Sequence, residues 1–417
     1  MKAWPTAQLR PEPPLARNRT SFPTAGEDLS KADQLQDWTE PGAHEVTPGV
    51  FRIPLPLPND ALRAVNVFAV RDGDQLVMID GGWALEESEA QLASSLKGIG
   101  HGLGDISQFL VTHVHRDHYT QAVAVRRRFG TRVSLGEGER ASLEALKPKN
   151  APFEMPQLAL LRATGADELV RALRGAPPED RDSASWTGPD QWLPDGARIS
   201  LDKRDLVAIH TPGHTQGHLV FHDASAHLLF SGDHVLPHIT PSIGFEPAIV
   251  PSPLSDYLIS LQLVRNLPDA IMLPAHGPPG SSIHTRVDEL LDHHEDRLDA
   301  SLAAIGAGAS TAYEVAARLG WTRRQRRLAD LDDFNKMLAI LEAAAHLEVL
   351  AERGRATRAE ADGRVHYTLP GVAPPRIGLA VPASDEGCLA AMPSSSPTLI
   401  SGLVPPSRPS LRASRHI

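Results

Sequence analysis

Most of the chemistry this chain can do is concentrated between His113 and His118. In Thr112-His113-Val114-His115-Arg116-Asp117-His118, three imidazoles and a carboxylate follow directly on the apolar run Phe109-Leu110-Val111. A regular helix would spread them over several faces, so the sequence predicts a loop after a strand. In that loop His113 and His115 converge on one ion while Asp117 and His118 turn toward a second, a donor set suited to borderline metals. Three more segments place a donor just after an apolar run. They are His214 in Pro212-Gly213-His214-Thr215-Gln216-Gly217-His218, Asp233 in Phe230-Ser231-Gly232-Asp233-His234, and His276 in Leu273-Pro274-Ala275-His276-Gly277. A glycine beside each lets the backbone bend tightly, and donors from separate strand ends can meet at one edge of a sheet. The assignment is His113, His115 and His214 to one ion, Asp117, His118 and His276 to another, and Asp233 between both. Such a set leaves two ions with open positions for water, which marks a catalytic rather than a structural site.

These boxes resemble, in order, those of the metallo-β-lactamase-fold hydrolases: H-x-H-x-D-H at His113 to His118, G-H-T-x-G-H at Gly213 to His218, S-G-D at Ser231 to Asp233 and A-H-G at His276. The resemblance covers roughly residues 45–285, and the helical segment beyond is similar to the winged-helix-like extension of the subgroup related to β-lactamase-like protein 2. It implies an α/β (α+β) chain built as an αββα sandwich with a C-terminal helical winged-helix-like domain. It also implies a binuclear centre of two divalent ions, usually zinc, with iron or manganese as alternatives. Two cations sharing a water bring its pKa toward neutrality, so the expected nucleophile is a bridging hydroxide and no protein nucleophile is needed. Asp117 is expected to be a ligand and also the catalytic group that orients the water or takes its proton, a role similar to that of its family counterpart. Asp80, in Ile79-Asp80-Gly81-Gly82, matches a family position that supports the histidine loop. Members of the family cleave thioesters, lactones, β-lactams, phosphodiesters and RNA, so the resemblance fixes the metal and leaves the substrate open.

The elements that must hold these donors are legible as alternating runs. Val50-Phe51-Arg52-Ile53, Val65 to Val70 and Leu76 to Ile79 read as a strand meander, and Ala84 to Lys97 has helical spacing. Phe109 to Val111, Arg132 to Leu135, Leu206 to Ile209, Leu219 to Phe221, Leu228 to Phe230 and Ile271 to Leu273 continue as strands. Helices are expected at Gln121 to Phe129, Glu139 to Leu146 and Leu254 to Asn266, with a mostly helical insertion over residues 152–176 that could roof a pocket. From Ser282 three helices, ending with Asp333 to Leu350, precede a hairpin formed by Arg355 to Arg358 and Arg364 to Leu369. The expected division is a disordered extension at 1–36, a catalytic domain at 37–285, a helical winged-helix-like domain at 286–370 and a disordered Pro/Ser-rich tail at 371–417.

Other histidines and the charge pattern carry less. His218, His234 and His238 lie beside ligands without a coordination place of their own and read as supporting or loop-packing groups. His293 and His294, flanked by Asp292, Glu295 and Asp296, read as a solvated helix face. Arg323, Arg324, Arg326 and Arg327 form one basic cluster, opposed by Asp330, Asp332 and Asp333.

The chain has 417 residues, a net charge of −10 and a single cysteine, Cys388. That composition excludes disulfide scaffolds and Cys-rich metal modules and provides no global field for nucleic acid or anionic membrane. The N-terminal residues do not read as a signal peptide and no run is apolar enough for a membrane span, so a cytoplasmic protein is expected. The functional expectation is a hydrolase of a small-molecule thioester or ester, in the manner of hydroxyacylglutathione hydrolases, with a homodimer as one assembly. The alternatives are an endoribonuclease or phosphodiesterase taking single-stranded RNA and, in a different class, a metal-binding transcriptional regulator without turnover.

Overall fold

A computed structural model describes residues 37–58, 62–146, 155–174, 183–322 and 324–372. The first apolar runs pair into a seven-stranded sheet with its strands in chain order. These are β1 (His44–Thr47), β2 (Val50–Pro56), β3 (Ala64–Asp72), β4 (Gln75–Ile79), β5 (Ile106–Val111), β6 (Arg132–Gly136) and β7 (Gln191–Leu193). Pairing is antiparallel up to β4 and parallel from β4 to β7. Parallel neighbours require crossovers, supplied by α1 (Glu86–Gly98) and α2 (Arg116–Phe129), and between β6 and β7 by an excursion that holds α3 (Arg140–Leu146), α4 (Gln157–Ala163) and α5 (Asp167–Arg174).

A second sheet, in the order β12-β11-β10-β9-β8, is built from β8 (Arg198–Leu201), β9 (Arg204–His210), β10 (Leu219–Asp223), β11 (Leu228–Gly232) and β12 (Ile271–Pro274). The crossover between parallel β11 and β12 carries α6 (Pro253–Arg265). The chain then runs through α7 (Ile283–Gly306), α8 (Ala312–Arg318) and α9 (Asp333–Glu352) to a hairpin of β13 (Thr357–Ala361) and β14 (Arg364–Thr368).

Strand periodicity stacks these layers. Along β3, Val65, Val67 and Ala69 join one apolar cluster with Leu92 and Leu96 of α1 and Val123 of α2, while Phe68 and Val70 join another with Phe221 and Phe230 of the second sheet. On the far face of that sheet Val220, Leu229 and Met272 pack with Leu254 and Leu261 of α6 and Val287 of α7. The result is the expected αββα order, a sheet buried on both faces at each step. Each fully buried Leu or Phe in these layers contributes about 1.5–3 kcal/mol.

The helices after β12 extend that outer layer. Leu158 and Leu161 of α4, Leu298 of α7 and Leu341 and Leu347 of α9 belong to the same apolar cluster as α6, and all the described residues lie in one compact unit. Three helices followed by a hairpin are present as the sequence order indicates. The short strands β1, β7 and β8 escape the sequence reading because three or four residues carry too little alternation to register. His294 corrects the expectation of a solvated pair: it is fully buried, with Nδ1 3.1 Å from His346 Nε2, while His293 stays exposed, because one turn of α7 presents neighbouring residues to different faces. The expected extension at 1–36, the tail from residue 373 with Cys388, and Arg323 lie outside the described residues. Among those described, no helix is long and apolar enough to cross a membrane.

Candidate metal centre

The histidine box starts at the C-terminal end of β5, where Val111 ends the strand and His113 is buried. His115 caps α2, which begins at Arg116. This departs from the expected loop: Asp117 and His118 stand in the first turn of a helix, so the helix start itself turns them away from His113 and His115. An aspartate in a first turn also suits the positive end of the helix dipole. The turn between β9 and β10 brings His214, the end of β11 brings Asp233, and the end of β12 brings His276.

All seven residues come together as two overlapping groups. The donor atoms of His113, His115, His214 and Asp233 lie within 4.8 Å of one another, and so do those of Asp117, His118 and His276. His115 Nδ1 is 2.9 Å from His113 Nε2 and 3.1 Å from His214 Nε2. Asp233 spans the groups: its Oδ2 is 3.9 Å from His113 Nε2 and 3.5 Å from His214 Nε2, whereas its Oδ1 is 3.7 Å from His118 Nε2 and 3.4 Å from His276 Nε2. Asp117 Oδ2 completes the second group at 3.6 Å from His118 Nε2 and 3.4 Å from His276 Nε2. These separations are those of atoms ranged around common points rather than bonded to each other. His118 Nε2, His276 Nε2 and Asp233 Oδ1 are buried without a hydrogen-bond partner among the described residues, which is costly unless a cation takes them up. The donor set of imidazole nitrogens and carboxylate oxygens therefore fits divalent metal ions.

A second layer of contacts fixes which nitrogen faces inward. His214 Nδ1 donates to the Ser242 carbonyl and His276 Nδ1 to the Ala64 carbonyl, each at 2.8 Å, so both rings turn Nε2 to the centre. His118 Nδ1 donates to Asp80 Oδ2 at 2.9 Å. The same carboxylate accepts from the Thr112 backbone at 2.7 Å and from its hydroxyl at 3.0 Å, and Thr112 Oγ1 lies 3.0 Å from His113 Nδ1. Asp80 adopts a left-handed conformation, φ 61°, to reach these groups. His218 is buried, 3.0 Å from Thr211 Oγ1, and accepts from the Asp233 backbone N–H at 3.3 Å. His234 is buried beside Tyr257 and His238 is exposed.

Several of the residues that hold the centre carry no metal-binding signature. Asn66, inside β3, donates to the carbonyls of Pro274 at 3.0 Å and Gly277 at 2.8 Å, and so pins the loop of His276. A buried amide in the apolar run Val65-Asn66-Val67 was the available signal. Glu139 and Glu246 flank the loop of His214: the Thr215 hydroxyl donates to Glu139, and the Gln216 backbone donates to Glu246 at 2.8 Å. Tyr257 of α6 donates to the His234 carbonyl at 2.9 Å and packs so closely on Gly213, φ 135°, that a Cβ there would lie 2.4–2.6 Å from Tyr257.

Burial acts on all these groups, with opposite net results. It lowers His113 well below its ordinary range, His115 to about 3 and His214 to about 4, helped at His113 and His115 by neighbouring imidazoles. These rings are neutral, as metal ligation requires. Burial also opposes charge on His118, but Asp80, Asp117 and Asp233 outweigh it and push His118 up to about 10. His276 is likewise raised, its burial outweighed by Asp233 and Asp117. At Asp117 burial favours the neutral acid, yet His118 and His276 hold the carboxyl well below the usual carboxylate range.

Residues 60–276, just over half of the chain, match the metallo-beta-lactamase superfamily. A probable metallo-hydrolase of Bacillus subtilis (strain 168) is 25% identical over 319 residues, covering 72% of this chain and 91% of that protein. The crystal structure of a metallo-beta-lactamase family protein from Thermus thermophilus superposes with a TM-score of 0.64 at 26% identity, covering 78% of this chain and 100% of the other. An atrochrysone carboxyl ACP thioesterase of Aspergillus fumigatus is 23% identical over 242 residues, 58% of this chain and 44% of its own length.

Proposed function

The chain belongs to the metallo-beta-lactamase superfamily and is a hydrolase of that fold; within it we propose a binuclear metal-dependent hydrolase of a small thioester or ester. The observation that carries the reading is Asp233, whose two oxygens face two separate groups of donors. His113, His115, His214 and Asp233 would hold one ion, and Asp117, His118, His276 and Asp233 the other, with zinc the metal best suited to this mixture of nitrogen and oxygen. Bound there, two divalent ions would supply Lewis acidity for a carbonyl oxygen and bring water to nucleophilic strength near neutral pH.

The protein's own part is positioning and proton transfer. Asp117 is half-buried at the solvent side of the centre, held ionised by His118 and His276. Its carboxylate orients the attacking water and receives the proton. Asp80 and Thr112 keep the histidine box rigid, and the carbonyls of Ser242 and Ala64 prevent His214 and His276 from rotating. No side-chain nucleophile is needed. The thioesterase named above supports the choice of an acyl substrate.

A side-by-side turnover assay tests this: zinc-loaded protein on an acyl-glutathione thioester and on single-stranded RNA, with Asp233→Ala as control. Thioester cleavage that vanishes in the variant is expected. RNA cleavage without thioester cleavage would replace the reading with a nuclease, and sequence-selective duplex binding without turnover would replace it with a regulator.

A further inference from the structure

Beyond the loop that orients His214, the structure contains a cavity of about 320 Å³. Its wall is mostly apolar, with Leu160 of α4, Ile249 and Val250 of the loop before α6, Leu341 and Ala345 of α9, and Val365 of β14. Glu246 on the wall is held through Oε1 by the Ser142 hydroxyl and the Gln216 backbone, while its Oε2 is buried without a hydrogen-bond partner among the described residues; the other charged groups are engaged with protein partners. Arg358 donates to Glu348 at 3.0 Å and to Glu360 at 2.8 Å, the Tyr367 hydroxyl donates to Glu348 at 2.6 Å, and Arg364 pairs with Asp167 at 2.6 Å. An occupant therefore meets mostly apolar surface, and both wall arginines, Arg358 and Arg364, are already paired with acidic side chains. A phosphate or carboxylate placed there would lose its hydration without gaining a partner, whereas an uncharged apolar body would be favoured.

One loop joins this cavity to the metal centre. It leaves Asp233, presents the Ser242 carbonyl to His214 Nδ1 at 2.8 Å, and then supplies Gly244, Glu246, Ile249 and Val250 to the cavity wall. Glu246 reaches back toward the centre, accepting from the Gln216 backbone two residues after His214. Interiors are close-packed, and the Ala344-Ala345 step of α9 leaves space where larger side chains would fill it.

We propose that this cavity is the subsite for an uncharged apolar acyl chain of the substrate, an inference that rests on the hydrolase reading above. Its size lies at the lower end of the range for small-molecule sites, about 300–1,000 Å³. At about 30 Å³ per carbon, close to a water's share of liquid volume, it suits a chain of about ten carbons. The substrate class is then a medium-chain acyl thioester or ester rather than an acetyl or a polar acyl compound.

The test compares kcat/KM for S-decanoyl- and S-acetyl-N-acetylcysteamine on the zinc-loaded full chain, on Ala345→Trp and on the milder Ala344→Leu, with thermal midpoints confirming that both variants are folded. The decanoyl compound should be preferred by about 100-fold or more, since each buried methylene contributes about fourfold, and both substitutions should drive that ratio toward one. Equal use of the two thioesters by the parent protein, or a preference untouched by both folded variants, would overturn the proposal. Binding of the uncharged fluorophore N-phenyl-1-naphthylamine separates this from the hydrolase reading. Binding that the substitutions abolish supports the cavity even where neither thioester is cleaved, a result that would sink the thioester reading alone. Absence of binding to the parent protein would count against the cavity whatever the turnover.

Discussion

His113, His115 and His214 stand among imidazoles, whereas Asp117, His118 and His276 stand among carboxylates. Both groups are largely buried where strand ends of the two sheets meet, and Asp233 faces both. Desolvation is the main force that strips the proton from the first group. In the second, three carboxylates around His118 outweigh the same desolvation and leave the ring cationic without metal. The lesson is that burial does not set the charge of a site; the neighbours do. The first group offers preformed neutral nitrogens, while the second would have to give up protons to hold the proposed ion.

The comparison can be broken most completely at Asp233. Asp233→Ala removes the group that faces both halves, so bound metal should fall below two ions per chain and turnover should drop at least about 10²–10³-fold, read from metal content and initial rates. Asp80→Asn addresses the second half alone, because the amide weakens the partner of His118 yet can keep an oxygen toward Thr112. Affinity for one of the two ions should fall about 10–100-fold with the other unchanged, as measured by calorimetric titration. Gly213→Ala addresses the first half, since a Cβ would collide with Tyr257. The misfit should cost about 1–3 kcal/mol in a denaturant titration and loosen the His214 loop.

The smallest effect concerns neither half directly. Burial pushes Glu139 up to about 8 from an ordinary 4.5. A carboxyl raised in the folded state binds its proton more tightly there than in the unfolded chain. Its stabilisation is therefore complete below 4.5 and is lost as pH rises through about 8. Glu139→Gln keeps an acceptor for Thr215 and removes the titration, so thermal midpoints should decline less between pH 5 and 8, with a gain of about 2 °C at the upper end.

The donors were legible because each is a short motif after an apolar strand, and metal coordination tolerates few residue types. The sandwich was legible from β3 and its neighbours, where alternate residues serve two cores. The start of α2 was not, because a histidine box carries no helical periodicity and His115 is an unusual cap with no side-chain capping bond. Nor were Asn66, Glu139 and Glu246, whose roles depend on residues up to 211 positions away in the chain. His294 misled the reading through its charged neighbours, which face solvent from the same helix while the ring packs against His346. The cavity beside α9 was invisible for a related reason: its wall is assembled from five separate stretches of chain.

Stepwise loading of metal-stripped protein with Zn²⁺, with thioester hydrolysis and proton release followed at each addition, tests the central claim most directly. The account predicts two tight equivalents with unequal proton release near pH 8, the larger release accompanying the ion held by Asp117, His118 and His276, with turnover rising through the second equivalent. Full turnover by the stripped protein, or a single equivalent that saturates both binding and rate, would contradict it.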